Sequence, residues 1–292
     1  MGNDRLLLRM GGLTFGFTGW VPPMQEGSFL PAFLVRDGAP DVTVEIYCDP
    51  DTEIPAPMLY QDEYCRVYTE KDRVWLENSA FGTMKTWAYS ILHYDQGNVL
   101  RLQILSPTST FKMDHVISGM MLESLLLTRE RAILHTSVIA VDGQAILFTA
   151  PSGTGKSTQA ELWRRHRNAE VLNGDRALLR LEKDATFACG LPFAGTSGIC
   201  KNFTLPIRAV VVLEQAKKNQ AERMQPTAAV RALLSQISLQ KWNRQDIRLA
   251  MDITERLIER LPIYHLACLP DETAVDCLEK TLKGESRNGK RR

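Results

Sequence analysis

A glycine-rich segment between an apolar run and a helix has the residue types that hold a phosphate group. Residues 150–158 read Ala-Pro-Ser-Gly-Thr-Gly-Lys-Ser-Thr, and they follow the apolar run at 145–148. Glycines let the backbone curl so that successive N–H groups point into one concavity, at the positive end of the helix dipole. A strand, a glycine loop ending in Lys-Ser and then a helix form a P-loop. The segment therefore predicts a nucleotide-binding site.

Each position of this loop has an expected role. Lys156 would reach the outer phosphates of ATP, and the Ser157 hydroxyl would bind Mg²⁺. Ala150 stands where the motif usually has its first glycine. The alternative is a glycine-rich turn that joins a core strand to a helix without binding a ligand. The residues expected to contact ATP are Ser152, Gly153, Thr154, Gly155, Lys156, Ser157 and Thr158.

An acidic residue follows the next predicted strand. Asp175 comes just after the short predicted strand at 170–172, whose last two residues are apolar. In α/β nucleotide enzymes the carboxyl ends of neighbouring strands line the ligand crevice. A carboxylate there could bind Mg²⁺ or accept a proton from an attacking hydroxyl. The alternative is a plain turn, which the sequence Asn-Gly-Asp at 173–175 forms readily.

A histidine is expected on the other side of the loop. The strand at 133–141 and the strand that leads into the loop are separated by Asp142-Gly143, a strong hairpin signal. Antiparallel pairing then places His135 near the start of the loop. A role beside the phosphate and a satisfied histidine in the core are both open interpretations.

Two later segments carry weaker signals. Residues 190–202 are rich in small residues and long enough to cover a substrate, and Lys201 could contact a phosphate; a plain connection is the alternative. Glu214 follows the apolar strand at 207–213 and resembles a Walker B carboxylate. A core strand with a solvent-facing Glu is the favoured interpretation.

The pattern of elements predicts an α/β protein. Short strands at 6–8, 33–35, 42–47, 65–68, 74–76 and 100–105, with a turn at 49–50, give a β-rich N-terminal domain over residues 1–112. A P-loop domain is expected over 113–282, and a basic disordered tail over 283–292. Helical spacing of apolar residues predicts helices at 113–127, 227–239, 245–261 and 272–282.

Composition excludes several classes of partner. With 35 basic and 34 acidic residues the formal net charge is +1, so neither nucleic acid nor a membrane is expected as a partner. Six scattered cysteines without a C-x-x-C pair indicate reduced thiols rather than disulfides or zinc. The N-terminus shows no export signal, so we expect a cytoplasmic protein whose one metal is the Mg²⁺ of the nucleotide.

The order of these motifs resembles a known family. His135, Asp142-Gly143, the loop and Asn173-Gly174-Asp175-Arg176 are similar to the catalytic domain of HPr kinase/phosphorylase. The likeness is closer to HPr-kinase-like serine kinases, some of which modify ribosomally made peptides such as lasso precursors. It covers about residues 130 to 282. It implies a kinase domain of the HPr-kinase/PEP-carboxykinase type that moves the γ-phosphoryl of ATP to a hydroxyl, most simply serine, of a peptide, protein or small molecule.

The resemblance also assigns roles to residues. Lys156, His135 and Asp175 would be catalytic, and Ser157 and Asp175 would bind Mg²⁺. Asp175 matches the second of two adjacent aspartates, whereas the first is Gly174 here. The Glu-x-Arg-Gly signature of HPr dephosphorylation is absent, so phosphorylase activity is not expected. Relatives of this kind imply a homo-oligomer. A P-loop ATPase switch and a nucleotide-binding scaffold that has lost catalysis remain the alternatives.

Overall fold

The computed structural model describes residues 5–48, 54, 57–62, 65–70, 73–79, 86–95, 99–104 and 111–288. The chain divides into two compact units, Met1–Leu122 and Glu123–Arg292. This division lies later in the chain than the one expected between residues 112 and 113. The predicted turn at 49–50 and residues 289–292 of the predicted tail lie outside the described residues.

The first unit contains one eight-stranded sheet. Its strands are β1 (Leu6–Met10), β2 (Leu13–Gly19), β3 (Val42–Cys48), β4 (Met58–Gln61), β5 (Cys65–Glu70), β6 (Arg73–Ser79), β7 (Thr86–Asp95) and β8 (Val99–Ile104). They are arranged in the order β1-β2-β3-β8-β7-β6-β5-β4. The strand predicted at 33–35 is wrong, because residues Leu30–Phe33 form a 3-10 turn that buries Leu30 and Phe33.

The helix predicted over 113–127 is two helices, α1 (Met113–Gly119) and α2 (Leu122–Leu127). Met121 between them has a φ of 53°, a left-handed conformation that a continuous helix cannot contain. Met120 and Met121 are nevertheless buried, which explains why the apolar spacing suggested one helix.

The second unit is a mixed α/β structure. Its strands are β9 (Arg131–Val141), β10 (Gln144–Thr149), β11 (Glu170–Asn173), β12 (Arg176–Leu181), β13 (Thr186–Cys189), β14 (Thr204–Gln215), β15 (Gln220–Arg223) and β16 (Ile263–Cys268). Its helices are α3 (Lys156–Arg167), α4 (Pro226–Leu234), α5 (Arg244–Arg260) and α6 (Glu272–Asn288). The strands follow the order β10-β9-β12-β13-β14-β16-β15, with β11 beside β9 and a further pairing of β10 with β14.

The hairpin that leads into the glycine loop is confirmed. β9 and β10 pair antiparallel, so that Thr149 lies opposite Thr136. Asp142 and Gly143 in the turn have φ values of 51° and 73°, as a tight hairpin with the right-handed strand twist requires. β10 then runs parallel to β14, and β14 runs parallel to β16. The carboxyl ends of these three strands therefore lie at one edge of the sheet.

Helices cover both faces of this sheet. One apolar core includes Leu233 of α4 and Leu257 of α5, and the other includes Trp163 of α3 and Leu278 of α6. A strand buried on both faces is apolar throughout rather than alternating, and β10 is buried from Ala145 to Thr149.

Two helix ends differ from the prediction. The helix expected to run to residue 239 ends at Leu234, because the following chain pairs with β9: the His135 N–H donates to the Gln236 carbonyl at 2.9 Å. The last helix continues beyond residue 282 to Asn288, within the predicted tail. Lys283 pairs with Glu279 one turn earlier at 2.6 Å, which favours this continuation.

In the described part of the chain, no helix combines the length and apolarity needed to span a membrane.

Candidate functional site

The loop after β10 has an open, strained backbone that needs glycine. Gly153 and Gly155 have φ values of 78° and 115°, in the left-handed region that glycine tolerates. A Cβ on Gly153 would meet no atom within 4 Å, so space is open beside the loop. α3 begins at Lys156 with Gly155 as its N-cap, which offers no side-chain acceptor to the first N–H groups. These donors and the helix dipole favour an anion at this point.

Lys156 is folded into the loop. Its Nζ donates to the carbonyls of Ala150 at 2.9 Å and Pro151 at 3.2 Å, and the residue is 7% exposed. Burial lowers the pKa of Lys156, whereas the nearby charge of Asp175 raises it. The opposite charges of the glycine loop and of the turn that holds Asp175 therefore act on each other.

The remaining loop positions surround this lysine. Ser152, Ser157 and Thr158 are exposed, and Thr154 is half-buried. The loop is also fastened to the end of β14: the Gln215 Nε2 donates to the carbonyl of Gly153 at 3.2 Å. The hydroxyls on the first turn of α3 are thus available to a ligand in the loop.

The turn after β11 is held by one buried side chain. The Asn173 Oδ1 accepts from the N–H groups of Asp175 at 2.8 Å and Arg176 at 3.0 Å. Its Nδ2 donates to the Phe193 carbonyl at 2.8 Å. An Asn side chain that bonds the backbone two residues later is an Asx turn. This turn fixes the backbone at Asp175.

The Asp175 carboxylate lies between two basic side chains. Its Oδ1 is 3.4 Å from the His135 Nε2, and its Oδ2 accepts from the Arg176 Nε at 2.8 Å. The pairing of β9 with β12 places His135 directly opposite Arg176, which fixes this arrangement. The hydrogen bond with His135 and then the charge of Arg176 lower the pKa of Asp175 to about 2, although burial opposes the shift. Asp175 is therefore ionised at neutral pH.

Part of the segment at 190–202 packs against this turn. A Cβ on Gly195 would lie 2.8 Å from the Asp175 Cβ, and one on Gly174 would lie 2.2 Å from the Ser197 Oγ. The Arg176 guanidinium lies 5.2 Å from the centre of the Phe193 ring. The segment is thus in contact with Asp175 and Arg176, and Gly174 leaves room for Ser197.

Two residues with weaker sequence signals have other partners. Lys201 forms an exposed ion pair with Glu170 at 2.6 Å. Glu214 is exposed at the end of β14, and its Oε2 is 2.9 Å from the His265 Nε2. The favoured interpretation of Glu214 as a solvent-facing residue agrees with this position.

The donor types at the site suit Mg²⁺. Within the described ranges, no cluster of three or more His, Cys, Asp or Glu residues could hold a metal ion without a ligand. Ser157 and Asp175 offer a hydroxyl and a carboxylate, and Mg²⁺ prefers hard oxygen donors that it shares with substrate phosphates. These residues therefore fit a magnesium ion that arrives with a nucleotide.

Several residues around Asp175 were not singled out for this role from the sequence. Their contacts with Asp175 join distant parts of the chain. The local signals are the Asn-Gly pair before Asp175, which predicts a turn, and the small-residue segment at 190–202, but neither predicts that the two are in contact. These residues are Asn173, Arg176, Phe193, Gly195 and Ser197.

Residues 108–282 match the family model described as "SynChlorMet cassette protein ScmC", which is more than half of the chain and includes the glycine loop and Asp175. No curated protein matches the chain. Among solved structures it is similar to the HPr(Ser) kinase/phosphatase from Coxiella burnetii, with 11% identity and a TM-score of 0.32, over 54% of this chain and 96% of that one. At this TM-score the likeness carries no argument.

Proposed function

The chain belongs to the SynChlorMet cassette protein ScmC family, and from its glycine loop and its Asp175 turn we propose that its second unit is an ATP-dependent kinase of the HPr-kinase-like type. It transfers the γ-phosphoryl group of ATP to a hydroxyl, most simply that of serine, in a peptide, a protein or a small molecule. The bond between the γ-phosphorus and the oxygen bridging to ADP breaks. A bond from the acceptor oxygen to phosphorus forms, and the hydroxyl proton leaves.

One observation carries this proposal. An ionised carboxylate, Asp175, is held between His135 and Arg176 at distances of 3.4 and 2.8 Å, and its charge acts on Lys156 in the glycine loop. A phosphate held by Lys156 and the loop N–H groups would therefore lie near this carboxylate. A carboxylate at that position can orient an acceptor hydroxyl towards the γ-phosphate.

Charge neutralisation and positioning account for most of the catalysis. The loop N–H groups and Lys156 bind the β- and γ-phosphates and stabilise the charge that spreads over the phosphoryl oxygens. Mg²⁺, held by Ser157 and Asp175, supplies further neutralisation of phosphate charge when bound. Gly153 and Gly155 let the backbone approach the phosphates closely.

Asp175 acts mainly by orienting the acceptor. With a pKa of about 2 it is a weak base, so it accepts a hydrogen bond from the acceptor hydroxyl and takes up the proton only as the new O–P bond forms. His135 and Arg176 hold the carboxylate in place during this step. We further propose a cytoplasmic homo-oligomer that uses ATP and Mg²⁺ and binds neither nucleic acid nor membrane.

Incubation of the full chain with γ-labelled ATP and Mg²⁺ tests the proposal. Serine-containing peptide libraries and small alcohols serve as acceptors, and the Lys156→Ala variant serves as the blank. Label on an acceptor is the expected result. Release of free phosphate alone would identify an ATPase, and neither product would identify a nucleotide-binding scaffold.

A further inference from the structure

A cleft lies beside the glycine loop, at the carboxyl ends of β14 and β16. Its volume is about 360 Å³, within the range of small-molecule sites. One wall is the loop at 153–155 with the first turn of α3, and the other is the chain just past the two strands, at 215–216 and 268–270. Ligands of open α/β sheets bind in this kind of crevice, outside the carboxyl ends of the strands.

Among the described residues, the wall opposite the loop has no charged side chain. It consists of Ala216, Cys268, Leu269 and Pro270, together with the amide of Gln215. A phosphate group would find no counter-charge there, whereas a planar aromatic group would find apolar surface. When the triphosphate occupies the loop, this cleft is the adjoining space in which the rest of the nucleotide fits.

One lining side chain has an unmet hydrogen-bonding need. Gln159, on the first turn of α3, is 2% exposed. Its Nε2 donates to the Cys268 Sγ at 3.3 Å, so its Oε1 is turned away from the thiol. Its Oε1 is buried and has no hydrogen-bond partner among the described residues. Buried polar atoms are nearly always paired, so an orphaned acceptor on a side chain that lines a cleft indicates a donor that arrives with the ligand.

We propose that this cleft receives the base of the nucleotide and that Gln159 selects adenine over guanine. Adenine carries an exocyclic amino group, a hydrogen-bond donor, at the position where guanine carries a carbonyl oxygen, an acceptor. The Gln159 Oε1 accepts from the amino group, whereas the carbonyl of guanine would place two acceptors against each other. The inference rests on the proposed nucleotide binding and adds base specificity to it.

The test is the affinity of the full chain for Mg·ATP, Mg·GTP and inorganic tripolyphosphate, measured by calorimetry. We expect ATP to bind about tenfold or more tightly than GTP, the range that one good base contact gives. Gln159→Leu, which removes the orphaned oxygen, should weaken ATP binding by about tenfold, leave GTP unchanged and abolish the preference. Gln220→Leu, at an exposed glutamine of β15, is the matched control and should keep the preference.

The possible outcomes distinguish a failure of the base specificity assigned to Gln159 from a failure of the proposed nucleotide binding. Equal affinity of the unaltered chain for ATP and GTP, a preference for GTP, or a preference that survives in Gln159→Leu would each overturn the role of Gln159. In these cases, binding of tripolyphosphate and of both nucleotides would still support the proposed phosphate site in the glycine loop. Failure of all three to bind would overturn the proposed function as well. The ATP to GTP ratio of the unaltered chain needs no variant, so a misfolded variant does not decide the test.

Discussion

The glycine loop and the Asp175 turn both follow buried strands of the same sheet, yet they are built in opposite ways. The loop is open: nothing lies within 4 Å of a Cβ on Gly153. The turn is crowded: Asn173 bonds its backbone, and a Cβ on Gly174 would overlap Ser197. The loop is shaped to receive a ligand, and the turn is shaped to hold one carboxylate still.

This difference separates effects on binding from effects on folding. Changes in the loop should remove ligand binding at a smaller cost in stability, because apart from Ala150 and Lys156 the side chains of residues 150–158 are exposed or half-buried. Changes around the turn should cost stability or turnover, because each residue there touches several others. The predictions below test this division.

Lys156→Ala should have the largest effect. It removes the cation that neutralises the phosphates, and we expect phosphoryl transfer to fall by about 1000-fold. Thermal unfolding followed by circular dichroism should change little. The matched control is Lys201→Ala, whose ammonium pairs with Glu170 on the surface. A comparable loss of phosphoryl transfer in both variants, or normal phosphoryl transfer in Lys156→Ala, would show that the glycine loop is not part of the active site.

Asp175→Asn should reduce turnover by about 100-fold, a larger loss than the weakening of Mg·ATP binding that follows from removing a carboxylate ligand of Mg²⁺. The amide keeps the shape of the side chain but cannot orient a hydroxyl as a carboxylate does. Asp252→Asn, at an exposed aspartate of α5, is the control and should be fully active. If Asp175→Asn turns over normally, the turn does not take part in the chemistry.

Gly174→Ala should act on stability. Its methyl group would meet the Ser197 Oγ at 2.2 Å, so we expect the free energy of unfolding to fall by about 2 kcal/mol, measured in urea. Adding Ser197→Gly should restore most of that loss, because it removes the clashing side chain. Gly284→Ala on α6, where no atom lies within 4 Å, should not destabilise the chain. A stable Gly174→Ala variant would show that the turn is not crowded.

The smallest predicted effect is on the free energy of unfolding at acidic pH. The pKa of Asp175 is lowered from 3.8 to about 2 in the folded chain, so its ionised form stabilises the fold. This contribution is fully present above about pH 5 and is lost as the pH falls from about 4 towards 2. The difference in the free energy of unfolding between the unaltered chain and Asp175→Asn should therefore narrow over that interval. A difference that stays constant would mean that His135 and Arg176 do not stabilise the carboxylate.

The same contrast explains what could be predicted from the sequence. The glycine loop and the Asp142-Gly143 hairpin depend on local backbone conformations that only certain residues adopt, so both could be recognised in the chain. The surroundings of Asp175 depend on strand register and on a segment about twenty residues away. The helix expected to run to residue 239 ends early for a similar reason, because pairing with β9 outweighs local helix propensity.

The most direct test of the account is a crystal structure of the full chain with Mg²⁺ and a non-hydrolysable ATP analogue. We expect the β- and γ-phosphates in the loop at 150–158, with Lys156 turned from the carbonyls of Ala150 and Pro151 towards them and the γ-phosphorus facing Asp175. An analogue bound away from this loop, or one whose γ-phosphate points away from Asp175, would contradict the proposed kinase site.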